Sequence, residues 1–427
     1  MMSIIDFKAK KLNILSLLVL LTLNSCTLGS SNTVILWTDR PEFALYGEYF
    51  NTSQNKYKVE VQFNDSPANK LTTSQEYPDI VAANWLKNAS VRAQFRPLDN
   101  LLKQSSIRRS DFYPQLLSLG NIEGRQYLLP VNYNISAIIF ARDSRDPPSD
   151  PFIIEMKEIK ERSKAFNVVS NGTYSRMGFS LSSNNEFLFV AVTLSGADFK
   201  EASGAQVPVP LIWEEQALEQ GINWLQRWVL EANISVQVED DFGFKYYYDP
   251  LDKLVNSGRV LYIFMNSSEF FTLPEERRVN LDYRWIAANE TIPLDEFSVY
   301  YGIHKKTKAL KGARAFTRWF FSTETQKLLL EEAKIKKLQD TSFGIAGGFS
   351  AMKTVTEQVF PQFYIDLIGR MPPDSYLTPP NILPRNWITV KERVILPYLR
   401  ERIRYTNSEE IRPLERRVND WYRLNRN

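Results

Sequence analysis

The chain has 427 residues, of which 44% are hydrophobic and 13% aromatic. Its 52 basic and 49 acidic side chains nearly balance, which argues against a nucleic-acid-binding protein because such proteins need an excess of basic groups. With one histidine and one cysteine, the usual zinc and iron ligand sets are missing, so we expect no metal and no cofactor. We expect His304 to lie on the surface beside Lys305 and Lys306, and we predict no catalytic residue.

The N-terminus has the pattern of an export signal. Basic residues at positions 8, 10 and 11 precede an apolar run over residues 12–23, which is too short to span a bilayer as a stable helix. We therefore interpret residues 1–25 as a signal peptide that is removed. No later run of 18 apolar residues occurs in the sequence, so we predict no other membrane span.

Cys26 indicates that the signal peptide is of the lipoprotein type. Small or polar residues precede it, with a leucine three positions before it, and this resembles a bacterial lipobox, whose cysteine is acylated. An ordinary signal peptide with a chance cysteine is the alternative. An anchoring role explains why an exported chain has no second cysteine for a disulfide. We predict a lipoprotein with acylated Cys26 and a tether over 26–32, anchored to a bacterial cell membrane and facing the periplasm or the cell exterior.

Strand and helix patterns alternate after the tether. Residues 33–37, 58–63 and 77–83 predict strands. A helix that begins near Pro41 has a single apolar stripe. This order is typical of a mostly parallel sheet with right-handed crossovers, and in such sheets ligands bind beyond the carboxyl ends of the strands.

The later elements are less regular. Residues 131–140 form one long strand-like run in which Asn132, Asn134 and Ser136 share a face. Residues 142–151 contain three prolines and predict a connection into a second domain. Further helices are predicted over 155–166, 187–194, 214–232 and 308–321, with a C-terminal helix capped by 407–410, and further strands over 175–181, 258–265 and 297–303.

Five segments carry a family resemblance through their order and spacing. They are PDI at 78–80, RPLD at 96–99, GRQYLLP at 124–130, GRVLYI at 258–263, and a late helix pair whose members begin near 308 and 322. In this order they resemble the extracellular solute-binding proteins of ABC importers, in the carbohydrate-binding, maltose-binding-protein-like branch. The resemblance covers nearly the whole chain after the signal. It departs from the family at Met265–Ser268, where a glycine and then an aromatic residue are usual.

The resemblance implies an α/β, two-lobed periplasmic-binding-protein fold. Each lobe would be a mostly parallel sheet flanked by helices, and a multi-strand hinge would join the two. We place lobe 1 at 33–139 and 299–344, and lobe 2 at 140–298 and 345–427. The resemblance also implies a monomer without enzymatic activity that binds a small polar solute between its lobes and delivers it to the transmembrane subunits of an ABC permease.

The ligand expected from the resemblance is a saccharide or polyol. Its hydroxyls need side chains that donate or accept hydrogen bonds in pairs, and its apolar faces need flat aromatic rings. Asp65, Asn184 and Asn185 have a second interpretation as helix caps, and Trp37 is expected in the core. The predicted ligand-binding residues are Asp39, Glu42, Asp65, Asn84, Trp85, Asn132, Asn134, Asn184, Asn185, Asn266, Ser267, Tyr300, Tyr301 and Trp387.

Three alternatives remain at this point. A glycerophosphodiester would suit the same fold if Arg40 or Arg176 met its phosphate. A secreted glycosidase would need two carboxylates about 5–10 Å apart, which Asp39, Glu42 and Asp65 are able to supply. A surface lipoprotein that transports nothing would keep the fold with a degenerate cleft.

Overall fold

The computed structural model describes residues 32–104, 107–170, 172–202, 209–405 and 410–425. The predicted signal peptide, Cys26, all but the last residue of the tether, and most of the predicted cap at 407–410 lie outside these ranges.

Two sheets contain the longer strands, and several two-residue strands form small ladders beside them. The described strands are β1 (Thr33–Thr38), β2 (Lys58–Phe63), β3 (Ile80–Ala83), β4 (Asn121–Ile122), β5 (Arg125–Gln126), β6 (Leu129–Pro130), β7 (Asn132–Tyr133), β8 (Ser136–Ala141), β9 (Ile153–Glu155), β10 (Val168–Ser170), β11 (Thr173–Arg176), β12 (Lys200–Glu201), β13 (Leu211–Ile212), β14 (Ile263–Asn266), β15 (Leu281–Ala287), β16 (Ile292–Pro293), β17 (Tyr300–Ile303), β18 (Phe349–Ser350) and β19 (Leu377–Thr378).

Helices cover both sheets. The described α-helices are α1 (Glu42–Ser53), α2 (Pro67–Thr73), α3 (Ala89–Arg92), α4 (Asp99–Gln104), α5 (Pro114–Ser118), α6 (Met156–Phe166), α7 (Asn185–Leu194), α8 (Glu215–Ala232), α9 (Val236–Tyr246), α10 (Leu251–Asn256), α11 (Ser267–Phe271), α12 (Glu275–Arg278), α13 (Leu310–Phe320), α14 (Thr323–Ile335), α15 (Trp387–Val390), α16 (Leu396–Arg404) and α17 (Leu414–Leu424). Short 3₁₀ or π turns lie at Arg109–Asp111, Val355–Val359, Phe360–Gln362, Ile365–Leu367, Asp374–Tyr376 and Lys391–Ile395.

The first sheet has the strand order β2-β1-β3-β17-β6. β1 pairs in parallel with both β2 and β3, while β17 is antiparallel to both of its neighbours. The apolar stripe of α1 packs on this sheet with α13, and its Phe50 lies 5.2 Å from Phe316 between ring centroids. Because β2, β1 and β3 run in the same direction, the segments that follow them meet at one edge of the sheet.

The second sheet has the order β14-β8-β15-β9. β8 is antiparallel to β14 and β15, and only β15 and β9 are parallel. Around it α7, α8, α15, α16 and α17 enclose a separate core that contains the fully buried Trp228 and Trp387. The two-lobed α/β arrangement is therefore present, but both sheets are mixed, and the expectation of mostly parallel sheets was wrong.

Three stretches of chain cross between the lobes side by side, and we call them the hinge. They are residues 131–136, 294–299 and 345–351. The backbone joins them directly, because Val131 N donates to Val299 O at 2.8 Å and Ala351 N donates to Val131 O at 2.9 Å. The single strand predicted over 131–140 is divided here into β7 and β8, since the chain leaves one sheet and enters the other. β8 pairs within the second sheet from Ser136 onward, so residues 136–139, assigned to lobe 1 from the sequence, pair with lobe 2 strands.

Candidate functional site

A cavity of about 270 Å³ lies between the two lobes, and we call it the inter-lobe cavity. Its walls come from the carboxyl-end edge of the first sheet, from the hinge, and from the loop that precedes α15. Four residues predicted from strand ends meet there, together with residues that were not predicted. Its polar and aromatic walls include Asp39, Asp65, Asn84, Trp85, Phe297 and Arg385.

Asp39 and Asn84 form the polar base of this cavity. Asp39 Oδ2 accepts a hydrogen bond from the backbone N–H of Asn84 at 3.2 Å, which ties the ends of β1 and β3 together. Asp39 Oδ1 lies 3.5 Å from Arg40 Nε but accepts no hydrogen bond, and Asn84 Oδ1 also has no donor. Burial raises the pKa of Asp39, and the charge of Arg40 opposes the rise only in part. Two buried acceptor oxygens thus retain hydrogen-bonding capacity that a ligand is able to fill.

Asp65 and Trp85 form other parts of the wall. Asp65 is exposed, and the N-cap position of α2 is Ser66, not Asp65. Trp85 has a φ of +64°, a left-handed conformation that a tryptophan rarely adopts. Its ring packs against apolar residues of both lobes and meets Phe297 edge-on at 5.8 Å. Non-glycine residues held in this region of φ are concentrated at ligand sites.

The lobes contact each other directly around the cavity. Arg385 Nη1 donates to Thr72 Oγ1 at 2.7 Å. The Asn88 side-chain amide donates to Glu201, and Ala89 N donates to the other oxygen of the same carboxylate at 3.5 Å. These contacts hold the ends of the lobes together, so the structure corresponds to a closed arrangement.

Asn132 and Asn134 lie within the hinge, and Ser267 lies beside it at the start of α11. Asn132 Oδ1 accepts from Val299 N at 2.8 Å, and its Nδ2 donates to Ala346 O at 2.6 Å. Asn134 Nδ2 donates to Gly347 O at 3.0 Å, while its Oδ1 accepts from Ser267 Oγ at 2.7 Å. The structure therefore places these three predicted ligand residues where they connect the crossing stretches, with their side chains already paired.

Other predicted residues lie apart from the inter-lobe cavity. Glu42 accepts a hydrogen bond from Ser342, away from the cavity wall. Asn184 Nδ2 donates to Ser180 O at 2.7 Å, and Asn185 begins α7; neither lines the cavity. Asn266 caps α11 by accepting from Glu269 N at 2.9 Å.

Tyr300, Tyr301 and Trp387 are core residues. The Tyr300 hydroxyl donates to Leu116 O at 2.9 Å, and the Tyr301 hydroxyl pairs with Thr317 Oγ1 at 2.7 Å. Trp387 Nε1 donates to Glu296 Oε1 at 3.2 Å. All three side chains are fully buried, so none offers a surface to a ligand in this structure.

A second, larger cavity of about 620 Å³ adjoins the hinge on the side of lobe 2. Phe297 is a wall of both cavities. We call the second one the carboxylate cavity because its lining carries six carboxylates: Glu186, Asp198, Glu214, Glu269, Asp295 and Glu296. Phenylalanines also line it at positions 189, 199, 264 and 297.

Asp295 is the most perturbed of these acids. Burial raises its pKa to about 7, and the neighbouring Glu296 carboxylate adds to the rise. Its Oδ1 accepts from Phe297 N at 2.7 Å. On the opposite side of the hinge, burial lowers the pKa of Lys87 to about 8, although Glu296 and Asp295 act against this.

Asp295, Phe297 and Arg385 were missed by the sequence reasoning. Asp295 lies just before the strand predicted over 297–303 and Phe297 is its first residue, in a stretch that returns between lobes. Their place in the chain was a usable signal, because residues beside a hinge border the cleft. Arg385 precedes Trp387 by two positions, and only the turn into α15 decides which of the two side chains faces the cavity.

His304 is buried and not at the surface, so that expectation was wrong. Its ring stacks on Tyr77 at 5.3 Å between centroids. Burial lowers its pKa to about 4, and Lys305 and Lys306 lower it further. Within the described ranges, no group of three or more histidine, cysteine or acidic residues is placed to hold a metal ion, and no helix has the length and apolarity of a membrane span.

Comparison with known proteins identifies a sequence family. The model of the family described as bacterial extracellular solute-binding protein matches residues 46–334, more than half of the chain. A sequence search among curated proteins finds no match.

Solved structures with a similar fold cover almost the whole chain. The GacH receptor of Streptomyces glaucescens, studied unliganded and with acarbose, is 14% identical with a TM-score of 0.59, covering 92% of this chain and 98% of the receptor. An ABC substrate-binding protein of Listeria monocytogenes in complex with cycloalternan is 13% identical with a TM-score of 0.58, covering 92% and 97%. The cyclic alpha-maltosyl-1,6-maltose binding protein of Arthrobacter globiformis is 14% identical with a TM-score of 0.57, covering 92% and 99%. Identities this low show a shared two-lobed fold.

Proposed function

Because this chain belongs to the bacterial extracellular solute-binding proteins, we propose that it is the substrate-binding subunit of an ABC importer. It captures a hydroxyl-rich solute, a saccharide or polyol, between its lobes and presents it to a permease. One observation carries the proposal: the inter-lobe cavity is enclosed by both lobes, and its base holds acceptor oxygens of Asp39 and Asn84 that have no hydrogen-bond donor.

The chemistry of the cavity favours a donor-rich ligand. A sugar hydroxyl that donates to Asp39 Oδ1 or Asn84 Oδ1 removes the cost of an unpaired buried acceptor, about 1–3 kcal/mol for each group. Trp85 and Phe297 supply apolar ring surface beside these oxygens. The neighbours of known structure named above are described with saccharides, which is consistent with this class.

A glycerophosphodiester is supported less well. Arg40 lies beside Asp39, and neither Arg40 nor Arg176 lines the inter-lobe cavity. Arg176 stacks on Phe166 at 4.1 Å and donates to Gly258 O, which places it in lobe 2 away from the hinge. Arg385 is the lining cation, and it already donates to Thr72.

Closure of the lobes would be the signal to the permease. A ligand that contacts both lobes binds the closed arrangement more tightly and shifts the population toward it. The hinge is suited to this role because its side-chain hydrogen bonds lie within the crossing stretches and need not break when the lobes separate. The contacts of Arg385 and Asn88 cross the gap and would break.

Export and lipid anchoring complete the proposal. They depend on the basic and apolar pattern of residues 1–25 and on Cys26, and on the extracellular location of the family. Labelling of cells with a radioactive fatty acid tests the anchor: the native chain takes up label, and a Cys26→Ala variant does not. Label in the variant would contradict the lipobox.

The binding function is tested by thermal unfolding of the purified protein with sugars, polyols and glycerophosphodiesters. Ligand at about 100 times its Kd adds roughly 2.7 kcal/mol to the free energy of unfolding. We expect a shift with saccharides or polyols that disappears in an Asp39→Ala/Asn84→Ala variant and persists in a Glu276→Gln control, whose exposed carboxylate lies on α12. No shift with any compound, after co-purified ligand has been removed, would contradict the proposal.

A glycosidase is the second candidate because two carboxylates, Asp39 and Asp65, line one cavity. Aryl glycosides test it directly. Turnover that is lost in an Asp65→Ala variant would overturn the binding-protein proposal, and we expect no turnover in either form.

A further inference from the structure

We propose that the solute carries a protonated amine, which lies in the carboxylate cavity beside Asp295 while the hydroxyl-bearing part occupies the inter-lobe cavity. This inference rests on the proposed binding function and narrows its substrate class from saccharides in general to amino-substituted ones.

The first support comes from the inter-lobe cavity. Asn84 is 7% exposed, lines this cavity, and its Oδ1 has no donor. Asp39 Oδ1 is likewise a buried acceptor, and Asp65 adds a second carboxylate to the wall. A solute placed here must bring hydrogen-bond donors to satisfy these oxygens.

The second support is the charge of the carboxylate cavity. None of its lining residues is a lysine or arginine. Lys391 binds Glu186 and Glu296 from behind the wall, and Lys200 binds Asp198 at 2.9 Å and Glu214 at 3.2 Å.

Lys87 also interacts with Asp295 and Glu296. Three lysines therefore lie near the six carboxylates of this cavity. The interior is therefore negative overall, and a cationic group is the complementary guest.

Asp295 is the acid of this cavity that we expect to bind the cationic group. Among the described residues no lysine or arginine forms an ion pair with its carboxylate, whose Oδ1 accepts a hydrogen bond from Phe297 N. Burial and then the neighbouring Glu296 carboxylate raise its pKa, and the charge of Lys391 opposes the rise only in part. An ammonium group beside the Asp295 carboxylate would donate a charge-assisted hydrogen bond to it.

The aromatic walls suit the same guest. Lys391 Nζ lies 4.2 Å from the centre of the Phe189 ring, so a ring of this wall already meets one ammonium group. Phe199, Phe264 and Phe297 present further rings to the cavity. Ring faces attract cations within about 6 Å, so an amine gains from both the carboxylates and the rings.

Phe297 lines both cavities, so the two are neighbours on either side of one side chain. Their volumes of about 270 and 620 Å³ together fall within the range of roughly 300–1,000 Å³ that is usual for small-ligand sites. A solute that extends past this ring would place its hydroxyls against Asp39 and Asn84 and its amine against Asp295.

The test compares sugars that carry a free amine with their N-acetyl forms, in which the nitrogen is uncharged and carries an acetyl group. Glucosamine and its N-acetyl derivative form one pair, and the disaccharide of glucosamine and its di-N-acetyl form a second. Calorimetric titration of the purified protein at pH 7 should show the free amine binding at least about tenfold more tightly than its acetylated partner. High salt should reduce this ratio, because the preference is electrostatic.

Asp295→Asn is the matched variant, since asparagine keeps the acceptor for Phe297 N and removes the charge. We expect the preference for the amine to fall to about twofold or less in this variant and to persist in Glu276→Gln, an exposed acid on α12. Equal binding of amine and acetamide would overturn the inference and leave the proposed function standing. A preference that survives Asp295→Asn would overturn the assignment of the amine to this cavity. Failure of every saccharide to bind would overturn both proposals.

Discussion

Asn84 in the inter-lobe cavity and Asn132 in the hinge are both almost fully buried, at 7% and 2% exposure, but their surroundings differ. The amide of Asn132 joins two crossing stretches through hydrogen bonds to Val299 and Ala346. The side-chain oxygen of Asn84 has no donor. One region uses buried amides to hold the chain together, and the other keeps an acceptor unpaired at a cost in stability that a ligand can recover.

The largest expected effect is a difference in the free energy of unfolding between the Asn132 and Asn84 variants. Asn132→Ala leaves Val299 N and Ala346 O without partners inside the hinge, so we expect the free energy of unfolding to fall by about 2–4 kcal/mol. Asn84→Ala, the matched control, removes an acceptor that is already unpaired and should change it by less than about 0.5 kcal/mol. Chemical denaturation of both variants measures the difference, and equal losses would contradict the distinction.

The hinge and the inter-lobe cavity should reverse their order in ligand binding. Asn84→Ala and Asp39→Ala remove acceptors at the base of the cavity, and we expect each to weaken binding of the preferred saccharide by about 10-fold to 100-fold. Asn134→Ala, which lies in the hinge and contacts no cavity, should weaken it much less once the variant is folded. Calorimetry at a temperature well below unfolding provides the comparison. Loss of affinity that is confined to the hinge variant would contradict our assignment of the site.

Asp295 should make the stability of the protein depend on pH. Its pKa in the folded protein is about 7, above the ordinary aspartate value of 3.8, so the folded state holds the proton more strongly than the unfolded state does. Stability should therefore fall as pH rises from about 4 to 7, and this part of the fall should be absent in Asp295→Asn. Unfolding curves for both proteins at pH 4, 6 and 8 test this. Parallel pH dependence in the two would contradict a raised pKa at this position.

The smallest effect concerns the contact between Arg385 and Thr72 across the gap. Arg385→Ala should cost about 1 kcal/mol of closed-state stability or less, because a single partly exposed hydrogen bond is lost. We expect the ligand-free protein to be more open, with a larger radius of gyration in X-ray scattering, and ligand affinity to fall a few-fold. Arg393→Ala, at an exposed position nearby, serves as the control. A radius that is unchanged in Arg385→Ala would show that this contact does not hold the lobes together.

Much of the fold follows from the order of elements along the chain. The bounds of the strand over Lys58–Phe63 and the buried stripe of α1 agree with the sequence patterns. Asp39, Asp65, Asn84 and Trp85 could be brought together in advance because parallel neighbouring strands end at one edge of a sheet. No side-chain contact had to be known for that step.

The side-chain environments that the sequence did not reveal depend on which elements cover each face of a sheet. Tyr300 and Tyr301 lie on β17, between β3 and β6, where both faces of the sheet are covered, and an alternating pattern does not reveal that. Asn132 and Asn134 are polar residues on a shared strand-like run, but their partners are 213–214 positions away in sequence. His304 follows the same logic, since its neighbours Lys305 and Lys306 suggested exposure while Tyr77 and Phe95 enclose it.

Trp85 has a practical consequence for anyone who works with this molecule. Its indole packs against the core of each lobe, whereas Trp37 and Trp228 are each buried within one lobe. A change in the angle between the lobes should therefore alter the polarity around the Trp85 ring more than around those two. The emission of this chain's nine tryptophans should thus contain a component that follows opening and closing, with no dye attached.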